Sequence, residues 1–195
     1  MKREQVHKII LAAIITALYV ALTVPAASIS YGMIQFRLAE ALTVLPVLTS
    51  AAVPAVGLGC FIANILNPQN LGLIDIIGGS LTTLIAAELS ELLARPWREQ
   101  RAAAAAGSLK LEKKGAKLKR ELLMLAPPVL LNALVVGTYL PFLFTDSRPS
   151  LGLILLTQGS ILLSQAIVIY GIGLPFLRAI AKTGFLRDMQ HPLRR

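Results

Sequence analysis

The sequence predicts an all-α integral membrane protein with six transmembrane helices and with both termini in the cytoplasm. Hydrophobic residues make up 55% of the 195 residues, only 15% are charged, and the mean hydropathy is +0.70. Soluble domains carry about 25% charged residues, so this chain lacks the polar surface that a water-soluble fold needs. A membrane-spanning helix takes about 20 apolar residues. Residues 1–195 therefore suffice for a single membrane domain of six helices with short loops.

Prolines, glycines and charged residues divide the apolar sequence into six segments. The first predicted helix ends at Pro25. Residues 41–74 carry no charge but contain several prolines and glycines, which favour two short helices over one long helix. If these two short helices form one re-entrant hairpin instead, both ends of the chain stay on the same side. The six predicted helices cover residues 9–24, 38–52, 54–66, 71–94, 122–144 and 151–177.

Basic residues between the apolar segments set the predicted orientation. Residues 95–120 contain nine basic and two acidic residues, a net charge of +7 out of +9 for the whole chain. The segments before the first helix and after the last helix are also basic. Because cytoplasmic loops are enriched in Lys and Arg, all three segments are predicted to be cytoplasmic. Residues 95–120 then form a basic cytoplasmic loop between helices four and five, and the other end of the bundle faces outward.

The sequence lacks the residue patterns that catalysis and metal binding require. Cys60 is the single cysteine, and the two histidines, His7 and His191, lie near opposite ends of the chain. No glycine-rich phosphate loop followed by Lys-Ser or Lys-Thr is present. We therefore predict no metal site, no cofactor and no nucleotide hydrolysis by this chain. Since the positive charge is assigned to membrane topology, no nucleic-acid partner is expected.

A first group of polar residues precedes and opens the second predicted helix. Gln35 and Arg37 alternate with apolar neighbours, so both side chains point the same way if the segment is extended. Glu40 follows Arg37 by three residues, within helical reach. Polar groups inside a membrane usually face an interior or a cavity. Two interpretations remain open: an ion pair between Arg37 and Glu40 that closes the outer end of the helix, or a charge set that contacts a polar ligand.

The fourth predicted helix opens with Asp75 on the outer side. Gly79, then Thr82 or Thr83, and then Ala86 follow on one helical face, where small residues allow close approach of another helix or of a flat ligand. Asp75 is either an N-terminal cap or helix-dipole partner or a ligand contact. Further along the same helix, Glu88 and Glu91 are interpreted as an acidic pair at the cytoplasmic interface.

Amide and hydroxyl side chains recur at seven-residue spacing in the last two predicted helices. Asn132 and Tyr139 share one helical face, and Gln158 and Gln165 share another. Each is either an interhelical hydrogen bond or a ligand contact. Together with Asn64, this inventory suits a neutral, planar, hydrogen-bonding solute better than an ion.

The first predicted helix carries Ala13, Ala17 and Ala21 at four-residue spacing. Small residues at this spacing form a smooth stripe that permits close helix packing. The stripe serves either internal packing or the docking of a partner protein.

Four segments of the chain carry a resemblance to a known family. They are residues 31–46 (YGMIQFRLAEALTVLP), residues 54–64 (PAVGLGCFIAN), residues 72–87 (GLIDIIGGSLTTLIAA) and residues 171–175 (GIGLP). These blocks resemble the QueT family, and the resemblance extends over most of the chain outside the basic loop.

The resemblance implies the S-component, or substrate-binding subunit, of an energy-coupling factor (ECF) importer in the bacterial cytoplasmic membrane. Such subunits have six helices, and this family's substrates are queuosine precursors, which are 7-deazaguanine bases. The implied partners are a transmembrane T-component and two ATPase subunits, and the alanine stripe matches the one that docks the T-component. Gln35, Arg37, Glu40, Asn64 and Asp75 match motif positions implied to line the pocket.

Two points of the resemblance bear on the substrate. A carboxylate such as Glu40 or Asp75 suits a guanine-like edge, which offers two adjacent N–H donors. The family pattern leads us to expect a glutamate in the last helix, where this chain has Gln165. A neutral amide there favours a substrate without an aminomethyl cation. The alternatives are an S-component for another heterocyclic vitamin, or a membrane enzyme or scaffold whose basic loop binds anionic lipid.

Overall fold

The computed structural model describes residues 3–30, 35–68, 71–105, 114–145 and 147–183. All regular secondary structure within these ranges is helical, which confirms the predicted all-α class. A single turn at Ala27–Ser30 follows the first helix. The helices are α1 (Arg3–Thr23), α2 (Leu38–Val47), α3 (Ala52–Ile65), α4 (Leu73–Ala105), α5 (Lys114–Met124), α6 (Ala126–Phe144) and α7 (Leu151–Lys182).

Four of these helices, α1, α4, α6 and α7, are long and apolar enough to cross a bilayer. Helices α2 and α3 are apolar but shorter. Helix α2 is a 3₁₀-helix of ten residues, which span about 20 Å, and the fourteen residues of α3 span about 21 Å. Both fall short of the ~30 Å hydrocarbon core. The chain is thus a multi-pass membrane protein whose two short helices must lie within the bundle.

The fourth helix is longer than the sequence predicted. Helix α4 runs for 33 residues to Ala105, whereas the apolar pattern placed its end at residue 94. The added turns contain Ala, Arg, Glu and Gln, which favour helix in water as well as in lipid. Helix α5 begins at Lys114, inside the predicted basic loop, so the described residues contain seven helices where the sequence predicted six.

The core is built around the short helix α2, in which nine of ten residues are buried. The main apolar cluster joins α1, α2, α3 and α4 through residues such as Tyr19, Val44 and Val56. A smaller cluster between α6 and α7 includes Leu140 and Ile161. Around this core, many leucines and isoleucines are exposed on the outer faces of the long helices, as expected for side chains that face lipid.

Two helices widen locally into π-helical turns. In α6 the wide turn covers Asn132–Val136, and in α7 it covers Ile167–Gly173. Asn132 opens the first of these turns, and Gln165 lies two residues before the second. Wide turns of this kind are rare in proteins, and those that occur often lie at functional sites. They rotate the following residues relative to an ideal helix, which changes which side chains share a face.

Ion pairs tie the helices together at one end of the bundle. The buried Glu91 carboxylate accepts hydrogen bonds from Arg95 Nε at 2.9 Å and from Arg98. Arg98 also donates to the backbone oxygens of Pro46 and Val47 at the end of α2. The sequence analysis grouped Glu91 with Glu88 as an interfacial acidic pair, but only Glu91 is buried in these ion pairs, while Glu88 is exposed.

A second buried carboxylate lies at the same end. Glu121 is 2% exposed and accepts hydrogen bonds from Arg178 Nε at 3.0 Å and from Arg178 Nη2 at 2.6 Å. This links α5 to the end of α7. The two carboxylates therefore anchor four of the helices at the end that carries most of the basic residues.

Candidate solute-binding site

Eight of the nine candidate site residues line one cavity. The cavity lies at the bundle end opposite the ion pairs, where α2 and α4 begin and where α3 ends. Its empty volume is about 310 Å³, which includes space open to solvent, and its interior has room for about one water molecule. Gly79, Thr83, Val136 and Ile161 complete the lining. The eight residues are Gln35, Arg37, Glu40, Asn64, Asp75, Asn132, Tyr139 and Gln165.

The segment before α2 brings Gln35 and Arg37 to the cavity. Arg37 has the extended backbone angles φ −101° and ψ 101°. Gln35 and Arg37 are 6% and 7% exposed, while Phe36 between them is half-buried. This alternation agrees with the predicted extended segment. The Arg37 guanidinium donates to Cys60 Sγ on α3 at 3.4 Å and to the Ser30 carbonyl at 3.5 Å.

Glu40 opens α2 and is 2% exposed. Its Oε1 accepts a 2.6 Å hydrogen bond from the hydroxyl of Tyr19 on α1. Its Oε2 is buried and has no hydrogen-bond partner among the described residues. Arg37 is the residue directly before α2 and Glu40 lies in its first turn, so both side chains belong to the same end of this helix.

Tyr19 is a residue of the site region that the sequence analysis missed. Tyr19 is fully buried. It packs closely on α3, because a Cβ atom added at Gly59 would lie only 2.7 Å from the Cβ of Tyr19. A signal was present, because Thr16, Tyr19 and Thr23 form a polar stripe on an otherwise apolar helix. All three are buried, so this stripe faces the interior while the alanine stripe does not.

Asp75, Asn64 and Tyr139 join three helices at the cavity. The Tyr139 hydroxyl donates to Asp75 Oδ1 at 3.0 Å, and Asn64 Nδ2 donates to the Asp75 backbone oxygen at 3.4 Å. Asp75 lies in the first turn of α4, where a carboxylate is favoured by the helix dipole. Gly79 permits this meeting, since a Cβ there would lie 3.1 Å from Asn64 Nδ2 and 3.3 Å from the Tyr139 hydroxyl.

Cys60 lies outside the cavity lining but contacts three polar residues that line it. Its Sγ accepts from Arg37 Nη1 at 3.4 Å, from Thr83 Oγ1 at 3.5 Å and from Asn64 Nδ2 at 3.7 Å. The structure also decides between the two threonines on α4. Thr83 lines the cavity and Thr82 is not part of the lining, although both hydroxyls donate to a carbonyl four residues earlier in α4.

The amides of α6 and α7 are placed at different depths. Asn132 and Gln165 line the cavity and are 5% and 4% exposed. Gln158 lies outside the lining, and its Nε2 donates to Thr138 Oγ1 at 2.8 Å. Seven residues are about 10.5 Å along a helix axis, so Gln158 and Gln165 share a face without sharing a level.

The alanine stripe lies on the outer surface of α1. Ala13, Ala17 and Ala21 are exposed, and Ile14 and Leu18 beside them are 51% and 47% exposed. The opposite face of α1 carries the buried residues. The stripe therefore does not take part in packing within the described part of the chain.

The described residues contain no group of three or more His, Cys, Asp or Glu side chains that could hold a metal ion. The chain is a multi-pass helical bundle that surrounds a buried polar cavity with an apolar outer surface, an arrangement suited to a membrane transport subunit. The chain belongs to the QueT transporter family, whose model matches residues 9–182. This confirms the family that the motifs indicated.

One curated relative supports the same family. The chain is 38% identical over 101 residues to the protein named "Queuosine precursor transporter QueT" of Lactococcus lactis subsp. cremoris (strain MG1363). The aligned region covers 51% of this chain and 58% of that relative, so the chain spans somewhat more than half the length of the curated protein. No solved structure shows a significant match to the chain.

Proposed function

We propose that this chain is the S-component of an ECF-type importer and that it binds a queuosine precursor, a 7-deazaguanine base. The observation that carries the proposal is the buried polar cavity in a member of the QueT transporter family. Its lining combines one guanidinium, two carboxylates and four amides. Such a set recognises a planar heterocycle by hydrogen bonds along its edge, while Val136 and Ile161 contact its apolar faces.

The proposed orientation has the cavity end facing outward and the ion-paired end in the cytoplasm of a bacterial cell. Residues 95–120 carry a net charge of +7, and cytoplasmic loops concentrate Lys and Arg. With an even number of crossings on each side of this loop, both termini are cytoplasmic. This orientation lets the cavity capture its solute from outside the cell.

Solute entry requires the cavity to open. Its interior has room for about one water molecule, whereas a 7-deazaguanine base has eleven non-hydrogen atoms. The lining side chains must therefore move apart on binding.

Transport would depend on partner subunits. We propose that the exposed stripe of Ala13, Ala17 and Ala21 docks a transmembrane T-component, which in turn joins two ATPase subunits. Support comes from the surface of α1, whose stripe and flanking residues are exposed rather than packed against the other described helices. A smooth surface of small residues permits a partner helix to approach closely.

Titration of the purified protein in detergent with 7-deazaguanine bases tests the proposed substrate. We expect saturable binding with a Kd below 1 μM, and no binding of an unrelated vitamin such as thiamine at the same concentrations. Failure of every 7-deazaguanine base to bind more tightly than micromolar would remove the substrate assignment. Tight binding of a different heterocycle would point to an S-component for another vitamin.

A further inference from the structure

Four polar atoms of side chains that line the cavity are buried without a hydrogen-bond partner among the described residues. They belong to side chains that are between 2% and 5% exposed. Nearly all buried polar atoms in proteins are hydrogen-bonded, and unsatisfied ones that converge on a cavity indicate where a ligand's own polar atoms bind. The four atoms are Glu40 Oε2, Asn64 Oδ1, Asn132 Nδ2 and Gln165 Oε1.

Glu40 and Asp75 differ in how their oxygens are used. Tyr19 holds Oε1 of Glu40 at 2.6 Å, while Oε2 is buried and unsatisfied within the described ranges. Asp75 accepts from Tyr139 through Oδ1 and through its backbone oxygen from Asn64, and neither of its carboxylate oxygens is among the buried unsatisfied atoms. A buried carboxyl oxygen without a hydrogen-bond partner is the costlier arrangement. Glu40 is therefore the carboxylate that gains most from a ligand's N–H groups.

The orientation of Asn64 is fixed by its neighbours. Its Nδ2 donates to the Asp75 backbone oxygen and to Cys60 Sγ, so its Oδ1 is left as an acceptor. Asn132 and Gln165 are less constrained, because a half-turn of a primary amide exchanges its oxygen and nitrogen. Glu40 and Asn64 thus form a fixed acceptor pair, and the two other amides can act as donors or acceptors.

We propose that Glu40 recognises the ligand through Oε2, which accepts two adjacent N–H groups from the edge of a 2-amino-4-oxopyrimidine ring. Tyr19 is the positioning residue that holds Oε1 and so orients the carboxylate. Asn64 Oδ1 accepts a further N–H from the same ligand. Asp75, bonded to Tyr139, forms the wall of the cavity instead of contacting the donor pair. This assignment rests on the proposed function.

The fixed acceptors give a physical reason for the guanine-type ring of the proposed substrate. A 2-amino-4-oxo ring fused to a pyrrole offers the exocyclic amine, one ring N–H beside it and the pyrrole N–H. An adenine-like ring lacks the adjacent ring N–H and places an acceptor there, which would face the Glu40 carboxylate. The site therefore selects guanine-type over adenine-type deaza bases, and it does so through one carboxylate.

Two ligands that differ by one amino group test this assignment. Equilibrium binding of 7-deazaguanine and of 7-deazahypoxanthine, which lacks the exocyclic amine, is measured for the wild type. A lost charge-assisted hydrogen bond predicts about a 10- to 100-fold preference for 7-deazaguanine. In Glu40→Gln, a near-isosteric change, this preference should fall below about threefold. In Asp75→Asn, both affinities should change by the same factor, so the preference is retained.

The role of Tyr19 has its own readout. Tyr19→Phe removes the donor to Oε1 and frees the carboxylate to rotate, so the preference between the two ligands should fall part of the way. A purely structural role would weaken both ligands equally. Tyr170→Phe is the matched control, because its hydroxyl donates to the Leu122 carbonyl away from the cavity lining, and it should leave the preference unchanged.

The outcomes separate this assignment from the proposed function. If the wild type binds neither ligand, the 7-deazaguanine substrate is wrong. If the wild type binds both and Glu40→Gln retains the full preference, the assignment of Glu40 is wrong while the proposed function stands. If Asp75→Asn is the variant that loses the preference, Asp75 is the recognising carboxylate and our assignment is reversed.

Discussion

Tyr139 of α6 donates a 3.0 Å hydrogen bond to Oδ1 of Asp75 on α4, across 64 positions of sequence. Asp75 is 4% exposed, so this hydroxyl is a principal donor to a buried carboxylate. The bond joins two long helices in the lining of the cavity. Asp75, in the first turn of α4, therefore accepts a hydrogen bond from another helix in addition to any interaction with the end of its own helix.

A double-mutant cycle measures this bond. Tyr139→Phe, Asp75→Asn and the double variant are compared for their free energy of unfolding in detergent. We predict a coupling energy of about 1 kcal/mol, the size of interhelical hydrogen bonds in membrane proteins. Additive effects with no coupling would show that the two side chains do not stabilise each other.

The buried Glu91 carboxylate should stabilise the opposite end of the bundle. Glu91→Gln removes the charge that pairs with Arg95 and Arg98, while Arg98 keeps its bonds to the Pro46 and Val47 carbonyls. We expect the free energy of unfolding to fall by about 1–3 kcal/mol. Glu88→Gln, one turn earlier on α4 and exposed, is the control and should change stability by less than about 0.5 kcal/mol. Equal effects of the two variants would contradict a stabilising role for the ion pairs.

Gln165 should influence the charge that the site tolerates on its ligand. Its amide lines the cavity and is 4% exposed. Gln165→Glu introduces a carboxylate, so a 7-deazaguanine with an aminomethyl cation should gain affinity relative to the same base with a neutral nitrile. We expect the ratio of the two affinities to shift by about tenfold, as for one charge-assisted hydrogen bond. An unchanged ratio would place the substituent of the base away from Gln165.

The docking surface on α1 can be tested without touching the cavity. Ala17→Trp adds a bulky side chain to the exposed stripe, so co-purification with the T-component and ATPase subunits should be lost while ligand binding is retained. Leu155→Trp is the control, because Leu155 on α7 is 57% exposed and lies outside the stripe. Assembly of the complex with Ala17→Trp would exclude the stripe as the docking surface.

Much of the fold followed from apolar periodicity and from breaks at proline, glycine and charge. The membrane class, the start of α7 and the short helices α2 and α3 were predicted because lipid imposes length and hydropathy limits on each segment. The end of α4 was wrong by eleven residues, since hydropathy marks where the membrane ends and does not mark where a helix ends. The 3₁₀ geometry of α2 and the wide turns of α6 and α7 depend on packing that a single sequence does not reveal.

The candidate site was predictable in part because polar residues are rare in membrane helices and cluster where they are satisfied. That rule identified eight lining residues, including Asn132 and Gln165. It missed Tyr19, because a tyrosine in an apolar helix reads as part of the core until its hydroxyl is seen to meet Glu40. It also grouped Gln158 with Gln165, since helical spacing gives the face of a residue but not its depth in the bundle.

The most direct test of the account is a structure of the protein with 7-deazaguanine bound. We predict the base within the cavity between α2, α3 and α7, with its amino edge on Glu40 Oε2 and the lining side chains displaced outward. A base bound in this way would support the proposed substrate, the cavity as its binding site and Glu40 as the carboxylate that recognises it. A base bound elsewhere on the bundle, with the cavity still closed, would contradict the central claim that this cavity is the substrate site.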